Sequence, residues 1–241
     1  MHVERKTNGP THWLYDTQLF SSMSNAFFTA TYWQKKEAII GQENGRGTTW
    51  FVRKDNSELV LRHYLRGGLI QKLSKDRYIY KNLESCRSIS EFNILSELHQ
   101  QGLPVPKPAA AQVIKEGLFY QADLLTHKIP NAKDLVQILK VKQGEAFYCT
   151  LGQTIAEFHQ QGVYHADLNI QNILQDNNAQ FWVIDFDRAK RLAPNNRWQE
   201  RNLKRLKRSF EKEKKRFGIQ WDVQDWDIFY GAYLTYLNRK H

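Results

Sequence analysis

Cysteine is scarce in this chain: 241 residues contain only Cys86 and Cys149, far apart in sequence. That gives no basis for a disulfide framework, and ordinary reduced thiols are expected. Uninterrupted apolar runs are also missing, since none approaches the roughly twenty residues that a membrane-spanning helix needs. The opening residues, with His2, Glu4, Arg5 and Lys6 before a polar run, lack the apolar stretch of a secretory signal, so a cytosolic site of action is expected. No internal repeat and no low-complexity linker is found, which argues against solenoids and tethered modules. Acid is in deficit: 25 Asp and Glu stand against 35 Lys and Arg, a formal charge of +10. The excess implies an anionic partner, be it nucleic acid, a phosphate-bearing lipid or a membrane surface. In good supply are apolar side chains, 41% of the chain with 13% aromatic, enough to fill one large domain or two lobes.

The rest of the chain is arranged around His165-Ala166-Asp167-Leu168-Asn169-Ile170-Gln171-Asn172, followed by the run Phe181-Trp182-Val183-Ile184 and then Asp185-Phe186-Asp187. An Asp or Asn in a loop commonly just caps or turns the chain. Here a carboxylate and an amide lie five positions apart, with a second carboxylate at the end of an apolar strand. That is the layout of a protein-kinase catalytic loop, H-x-D-x-x-x-x-N, with its D-F-G. The chemistry explains the residue types. ATP carries several negative charges, so divalent cations must be held against its phosphates while a nearby carboxylate orients the attacking hydroxyl. Asp167 is the candidate base, and Asn172 and Asp185 offer the hard oxygens that suit Mg²⁺. His165 is expected to orient the loop through a backbone hydrogen bond, and no Cys/His spacing suggests zinc.

Upstream, residues 1–36 hold many aromatics without a clean period and are expected to pack on an N-terminal lobe. A hairpin is predicted from Ala38-Ile39-Ile40 through a turn spanning Gly41 to Gly47 into Thr48-Thr49-Trp50-Phe51-Val52. Its Gly45 and Gly47 are candidates for closing backbone N–H groups over phosphates, although a glycine-bearing turn is more often a plain hairpin turn. The next strand, Glu58 to Tyr64, carries Arg62 where a kinase carries its lysine. Arginine keeps the charge and reaches two phosphate oxygens, but the two residues are not interchangeable. A helix over Ser88–Leu98 is expected to supply Glu91 as the partner of Arg62, with Glu97 the alternative. Pro104-Val105-Pro106-Lys107-Pro108 forces extended chain, and two strands follow, Ala110–Ile114 and Leu118–Leu124. Leu125-Thr126-His127-Lys128 would be the hinge against which adenine lies. The predicted architecture is α+β and bilobal, with a β-rich N-terminal lobe over residues 1–128 and a mainly helical C-terminal lobe over residues 129–241.

In the large lobe, helices are predicted over Asp134–Leu139 and Glu145–Gln161, the second with His159 as a packing residue and Gly162 as its stop. From Arg197 to Arg216 ten basic residues face Glu200, Glu211 and Glu213, a local charge of +7. Leu203, Leu206, Phe210 and Phe217 recur at helical spacing between them, the layout of a basic amphipathic helix. Trp221, Trp226, Phe229, Tyr230, Tyr233 and Leu237 predict a closing aromatic-rich helix.

Taken with Leu61-Arg62-His63-Tyr64, Arg66-Gly67-Gly68, the proline-rich linker, Ile184-Asp185-Phe186-Asp187-Arg188-Ala189 and Asn202-Leu203-Lys204-Arg205-Leu206-Lys207-Arg208-Ser209, the chain resembles the 3-deoxy-D-manno-octulosonic acid (Kdo) kinases of lipopolysaccharide synthesis. These belong to the protein-kinase-like superfamily. The resemblance implies ATP- and Mg²⁺-dependent phosphorylation of the 4-hydroxyl of Kdo on the lipid A precursor, by a peripheral protein at the cytoplasmic face of the bacterial inner membrane. It implies Asp167 as base, Asn172 and Asp185 as metal ligands, and Arg62 with Glu91 as the phosphate-positioning pair. The glycine of D-F-G is Asp187, no A-P-E motif follows, and no room exists for a long activation loop, which suits a small or lipid-linked hydroxyl better than a protein. The basic run 197–216 is the expected contact with an anionic membrane. A kinase for heptose or another small hydroxyl compound is the nearest alternative. Arg62 and Asp187 motivate a second alternative, an inactive kinase-shaped binding module. No nucleic-acid partner is expected, because the run lacks interleaved stacking aromatics.

Overall fold

The computed structural model describes residues 1–44, 47–66, 76–193 and 195–239. The chain divides into two compact units, Met1–Glu97 with Pro106–Lys128, and Leu98–Val105 with Ile129–His241.

The first unit is built on one antiparallel sheet. Its strands are β1 (Val3–Asn8), β2 (Thr11–Asp16), β3 (Ile39–Asn44), β4 (Thr48–Lys54), β5 (Ser57–His63), β6 (Tyr78–Ile79), β7 (Pro108–Glu116) and β8 (Phe119–His127), in the order β1-β2-β7-β8-β5-β4-β3 with β6 alongside β8. Alternation along β5 sets the two faces apart. Leu59 and Leu61 point into a cluster with Trp13, Tyr15, Phe20, Met23, Phe28, Trp33, Val52 and Leu125. Val60 and Arg62 therefore face the other way. The aromatic-rich opening segment fills that cluster, as expected, but it also adds two strands that the sequence did not reveal. β1 is exposed along its whole length and charged, as an edge strand is, while β2 is buried on both faces, so neither shows period-2 alternation. After them, Thr29 caps the short helix α1 (Ala30–Lys35) by accepting from the Tyr32 N–H. The strands β7 and β8 are longer than predicted. Leu125, Thr126 and His127, three of the four residues expected as hinge, are the last rungs of β8: all three pair with β5, and the first two also with β7. Helix α2 (Arg87–Gln100) buries Ile89, Phe92 and Leu95, and its Ser88 hydroxyl donates to the Gln112 carbonyl of β7 at 2.8 Å.

The second unit contains the short strands β9 (Lys133–Asp134), β10 (Val163–Tyr164), β11 (Ile173–Gln175), β12 (Phe181–Val183) and β13 (Lys190–Arg191). Its helices are α3 (Leu135–Ile138), α4 (Glu145–Gln160), α5 (Asn196–Phe217) and α6 (Val223–Asn238). The α4 stripe of Tyr148, Leu151, Ile155 and Phe158 is buried. On α5, Leu203, Leu206 and Phe210 are buried as predicted, together with Trp198. Phe217 is not part of that stripe: it is 49% exposed, because the helix has passed its core contact and stops at Gly218 in the left-handed conformation. An Asp222–Asp225 capping box starts α6, and Lys142 bridges both carboxylates at 2.7 Å.

Helices α4 and α6 meet at Gly152. A Cβ there would run into the Phe229 carbonyl oxygen and come within 3.1 Å of the Tyr233 nitrogen, both backbone atoms that cannot swing aside. Gly152→Ala is therefore expected to cost about 1–3 kcal/mol through overpacking. Gly231, also helical but with open space around it, serves as comparison. Gly231→Ala is expected to be neutral or to stabilise by up to ~1 kcal/mol, read from thermal or urea midpoints.

Candidate active site

The loop after β10 has little regular structure, so side chains satisfy its backbone. His165 is buried at its start. The Asp167 N–H donates to His165 Nδ1 at 3.2 Å, so the ring carries its proton on Nε2, which donates to the Ile184 carbonyl at 3.0 Å. Burial pushes its pKa below the ordinary value, which makes it a neutral brace between the loop and the segment leading to Asp185. Two amides converge on the Asp167 carbonyl: Asn169 Nδ2 at 2.9 Å and Asn172 Nδ2 at 3.0 Å. The Asn169 Oδ1 in turn accepts from the N–H groups of Gln171 and Asn172, winding the turn Ile170–Asn172. With its nitrogen so engaged, Asn172 has its Oδ1 as the end left for a hard cation. The Ile184 N–H donates to the Asn172 carbonyl at 3.0 Å, extending the β11–β12 ladder and setting Asp185 beside Asn172. Asp185 has φ of 63°, a left-handed conformation that non-glycine residues occupy sparingly and aspartate more readily than most.

Three residues of α5, spaced three and four apart, complete the loop. Asn202 is buried and grips His165 twice, its Oδ1 accepting from the His165 N–H at 3.2 Å and its Nδ2 donating to the His165 carbonyl at 3.0 Å. Ser209 Oγ accepts from the Ile170 N–H at 3.1 Å. Between them, Arg205 Nη1 donates to Asp167 Oδ1 at 2.8 Å. Arg205 belongs to the basic run expected to meet a membrane, but its side chain turns to Asp167. Sequence reasoning missed all three, although an Asn placed one residue before the Leu203–Leu206 stripe is a readable sign of a buried polar contact.

In the first unit, Arg62 Nη2 lies 2.6 and 2.7 Å from the two carboxylate oxygens of Glu91, which is 2% exposed. Glu91, not Glu97, is thus the partner. Tyr64, which the sequence reading did not single out, donates its hydroxyl to the same Glu91 carboxylate and lies under the Arg62 guanidinium, 5.2 Å from ring centroid to Cζ. A buried carboxylate needs such compensation. The turn expected to cover phosphates is narrower than predicted, since Gly41 to Asn44 belong to β3. Gly45 lies outside the described residues. Gly47 is described at the start of β4, where a Cβ would meet the end of the Leu65 side chain. Among the described residues, no group of three or more His, Cys, Asp or Glu converges, so the oxygen donors to consider are Asn172 and Asp185. His159 is a core residue as expected, hydrogen-bonded to the Tyr233 hydroxyl at 2.8 Å, and burial pushes its pKa down to about 4.

A carboxylate and an amide on one braced loop, a second carboxylate at the end of the neighbouring hairpin and an Arg–Glu pair in a β-rich unit are the parts of a phosphoryl-transfer enzyme; the chain is a kinase of the protein-kinase-like class. Comparison with known proteins narrows this. The model of the lipopolysaccharide kinase (Kdo/WaaP) family matches residues 30–233, and the chain belongs to that family. It is 46% identical over 215 residues to a 3-deoxy-D-manno-octulosonic acid kinase of Vibrio parahaemolyticus, covering 89% of this chain and 90% of that one. It is 43% identical over 232 residues to a kinase of the same name from Vibrio vulnificus (96% and 98%). A third, from Haemophilus influenzae, is 40% identical over 242 residues (97% and 99%).

Buried His159 and half-buried His63 predict a pH dependence. Below about 6.5 the unfolded chain protonates His159 while the folded state keeps it neutral down to about 4, so its contribution is full above 6.5 and falls as pH falls through that window. His63 works in the opposite sense: its bond to Asp123 raises its pKa, so its contribution is present at low pH and lost as pH rises through the raised value. Isolating the first term, His159→Gln is expected to lose less thermal stability between pH 7 and pH 5 than the wild type; parallel curves would refute the assignment.

Proposed function

We propose that this protein transfers the γ-phosphoryl group of ATP to the 4-hydroxyl of a Kdo sugar on the lipid A precursor, at the cytoplasmic face of the bacterial inner membrane. The observation that carries the acceptor is the likeness, over nearly the whole chain, to relatives that bear the name of Kdo kinases. The braced loop supports the chemistry. Asp167 orients the acceptor hydroxyl and takes its proton as the oxygen attacks the γ-phosphorus and ADP leaves. Arg62, fixed by Glu91 and Tyr64, brings its charge to the nucleotide phosphate oxygens. Asn172 Oδ1 and the Asp185 carboxylate fit Mg²⁺, which prefers one or two protein oxygens alongside phosphate and water. When bound there, the ion neutralises phosphate charge as it builds. Glycines 45 and 47 are proposed to close the nucleotide site.

The reading is tested with purified protein, ATP and Mg²⁺ against Kdo-bearing precursor, Kdo-free precursor and a heptose acceptor. Only the first is expected to be phosphorylated. Asp167→Ala and Asp185→Ala should each nearly abolish transfer, the second also weakening Mg²⁺-dependent nucleotide binding. Turnover within tenfold of wild type, a barrier change of only ~1.4 kcal/mol, would remove that residue's role. Arg62→Ala should lose activity and Arg62→Lys keep part of it, since lysine retains the charge but not the fork.

Membrane attachment is proposed through α5. No helix among the described residues is long and apolar enough to cross a membrane, while Arg201, Lys204, Arg208 and Lys212 are exposed on α5. Each cation near an anionic surface contributes on the order of 1 kcal/mol, so several give reversible, salt-sensitive attachment. Co-sedimentation with anionic vesicles at low salt should fall for a Lys204/Lys207/Arg208→Gln variant that leaves Arg205 in place. Equal binding by both proteins would move the contact elsewhere.

A further inference from the structure

The Arg205–Asp167 contact belongs to a built arrangement and not to a chance surface pairing. Two neighbours on the same helix face fix the loop by its backbone, Asn202 through both polar groups of His165 and Ser209 through the Ile170 N–H. Arg205 lies between them, so α5 and the loop are already in register where its guanidinium meets Asp167 Oδ1 at 2.8 Å. The Asp167 side chain is itself half exposed, and a carboxylate in that position would otherwise turn between rotamers in water. Its backbone is tied down by Asn169 and Asn172, which leaves the side-chain direction to be set.

We infer that Arg205 is a positioning residue for phosphoryl transfer: it fixes the Asp167 carboxylate through Oδ1 so that Oδ2 faces the acceptor hydroxyl, and its charge offsets the negative charge gathering beside that carboxylate. The step served is balanced within the proposed reaction, with the acceptor oxygen bonding to phosphorus, the bond to the ADP oxygen breaking and the hydroxyl proton passing to Asp167. The inference rests on the kinase reading of Asp167. A misplacement of ~1 Å in such a group costs on the order of 10²-fold in rate, whereas an exposed ion pair contributes little to folding. A role in positioning and a role in stability are therefore separable.

The test uses the full chain with detergent-dispersed acceptor, so that vesicle binding does not enter. Arg205→Ala is expected to lower kcat by roughly ten- to hundredfold, with KM for ATP and the thermal midpoint close to wild type. Arg205→Lys should retain more turnover than Arg205→Ala, and added guanidinium should restore part of the Ala variant's rate. Asp167→Asn is measured in parallel. If it keeps wild-type turnover, the kinase reading of Asp167 fails. If it is inactive while Arg205→Ala turns over as fast as wild type or faster, the inference alone is overturned. A loss confined to KM for the acceptor, or a lowered thermal midpoint with a proportional loss of activity, would likewise overturn it, assigning Arg205 to acceptor binding or to folding.

Discussion

The hold of α5 on the loop from His165 to Asn172 is the contact on which the proposed chemistry depends. A loop that aims a carboxylate gives up the hydrogen bonds that a helix or strand would make for itself, and each buried N–H or C=O left unpaired costs about 1–3 kcal/mol. Here the missing partners arrive from one helix: Asn202 takes both polar groups of His165, Ser209 takes the Ile170 N–H, and Arg205 takes the carboxylate. The helix can reach them because Trp198, Leu203, Leu206 and Phe210, in and beside the face that carries the clamp, are buried and anchor it in the core. A single helix thus has an apolar stripe, a polar clamp and a basic outer surface. Its high charge is compatible with folding because the stripe supplies the packing, while most of the cations stay in water.

The Arg62–Glu91 pair follows a different rule. Removing one partner of a buried ion pair strands a charge in low dielectric, which is far more costly than losing an exposed bridge. Glu91 is the buried member, and Tyr64 supplies a second donor to it. Arg62 keeps 27% of its side chain exposed, against 2% for Glu91. An arginine suits this geometry because its planar fork presents several donors in fixed directions. A lysine would bring the same charge to a single point.

How much was legible in the sequence depended on whether the signal was local. That His165, Asp167, Asn172 and Asp185 come together could be read because they sit in one short loop and the hairpin after it, at fixed spacing. Helices α2, α4 and α6 could be read from their apolar periods and stop signals. The partnership of Arg62 with Glu91 could be read because the strand and helix each had a recognisable pattern. Arg205 and Ser209 could not, since α5 carries so many cations that an arginine turned to the loop looks like its neighbours, and only the loop, far away in sequence, distinguishes it; Asn202 left the one sign of an amide beside the apolar stripe. Strands β1 and β2 escaped for a related reason: an exposed charged edge and a strand buried on both faces lack the alternation by which strands are recognised. Tyr64 lies at the end of a strand, where its hydroxyl has meaning only once Glu91 is known to be buried beneath it.

The segment after Asp185 bears on what kind of kinase this is. β13 pairs with β10, the strand that delivers the chain into the catalytic loop, through Lys190 opposite Tyr164 and Arg191 opposite Val163. The Leu192 N–H then donates to the Gly162 carbonyl at 2.8 Å, and α5 starts at its Asn195 cap. Phe186 packs edge-on against His165 with ring centroids 5.0 Å apart. The residues that follow Asp185 are thus bonded to those that precede Asp167, with no long segment between that a phosphate would have to order. A protein kinase that waits for a signal needs a segment with two arrangements; this chain ties the corresponding stretch into a ladder and then into a helix. The stretch after Asp185 is therefore held by its own backbone pairing and by the packing of Phe186, without the two arrangements that a signal-operated segment needs.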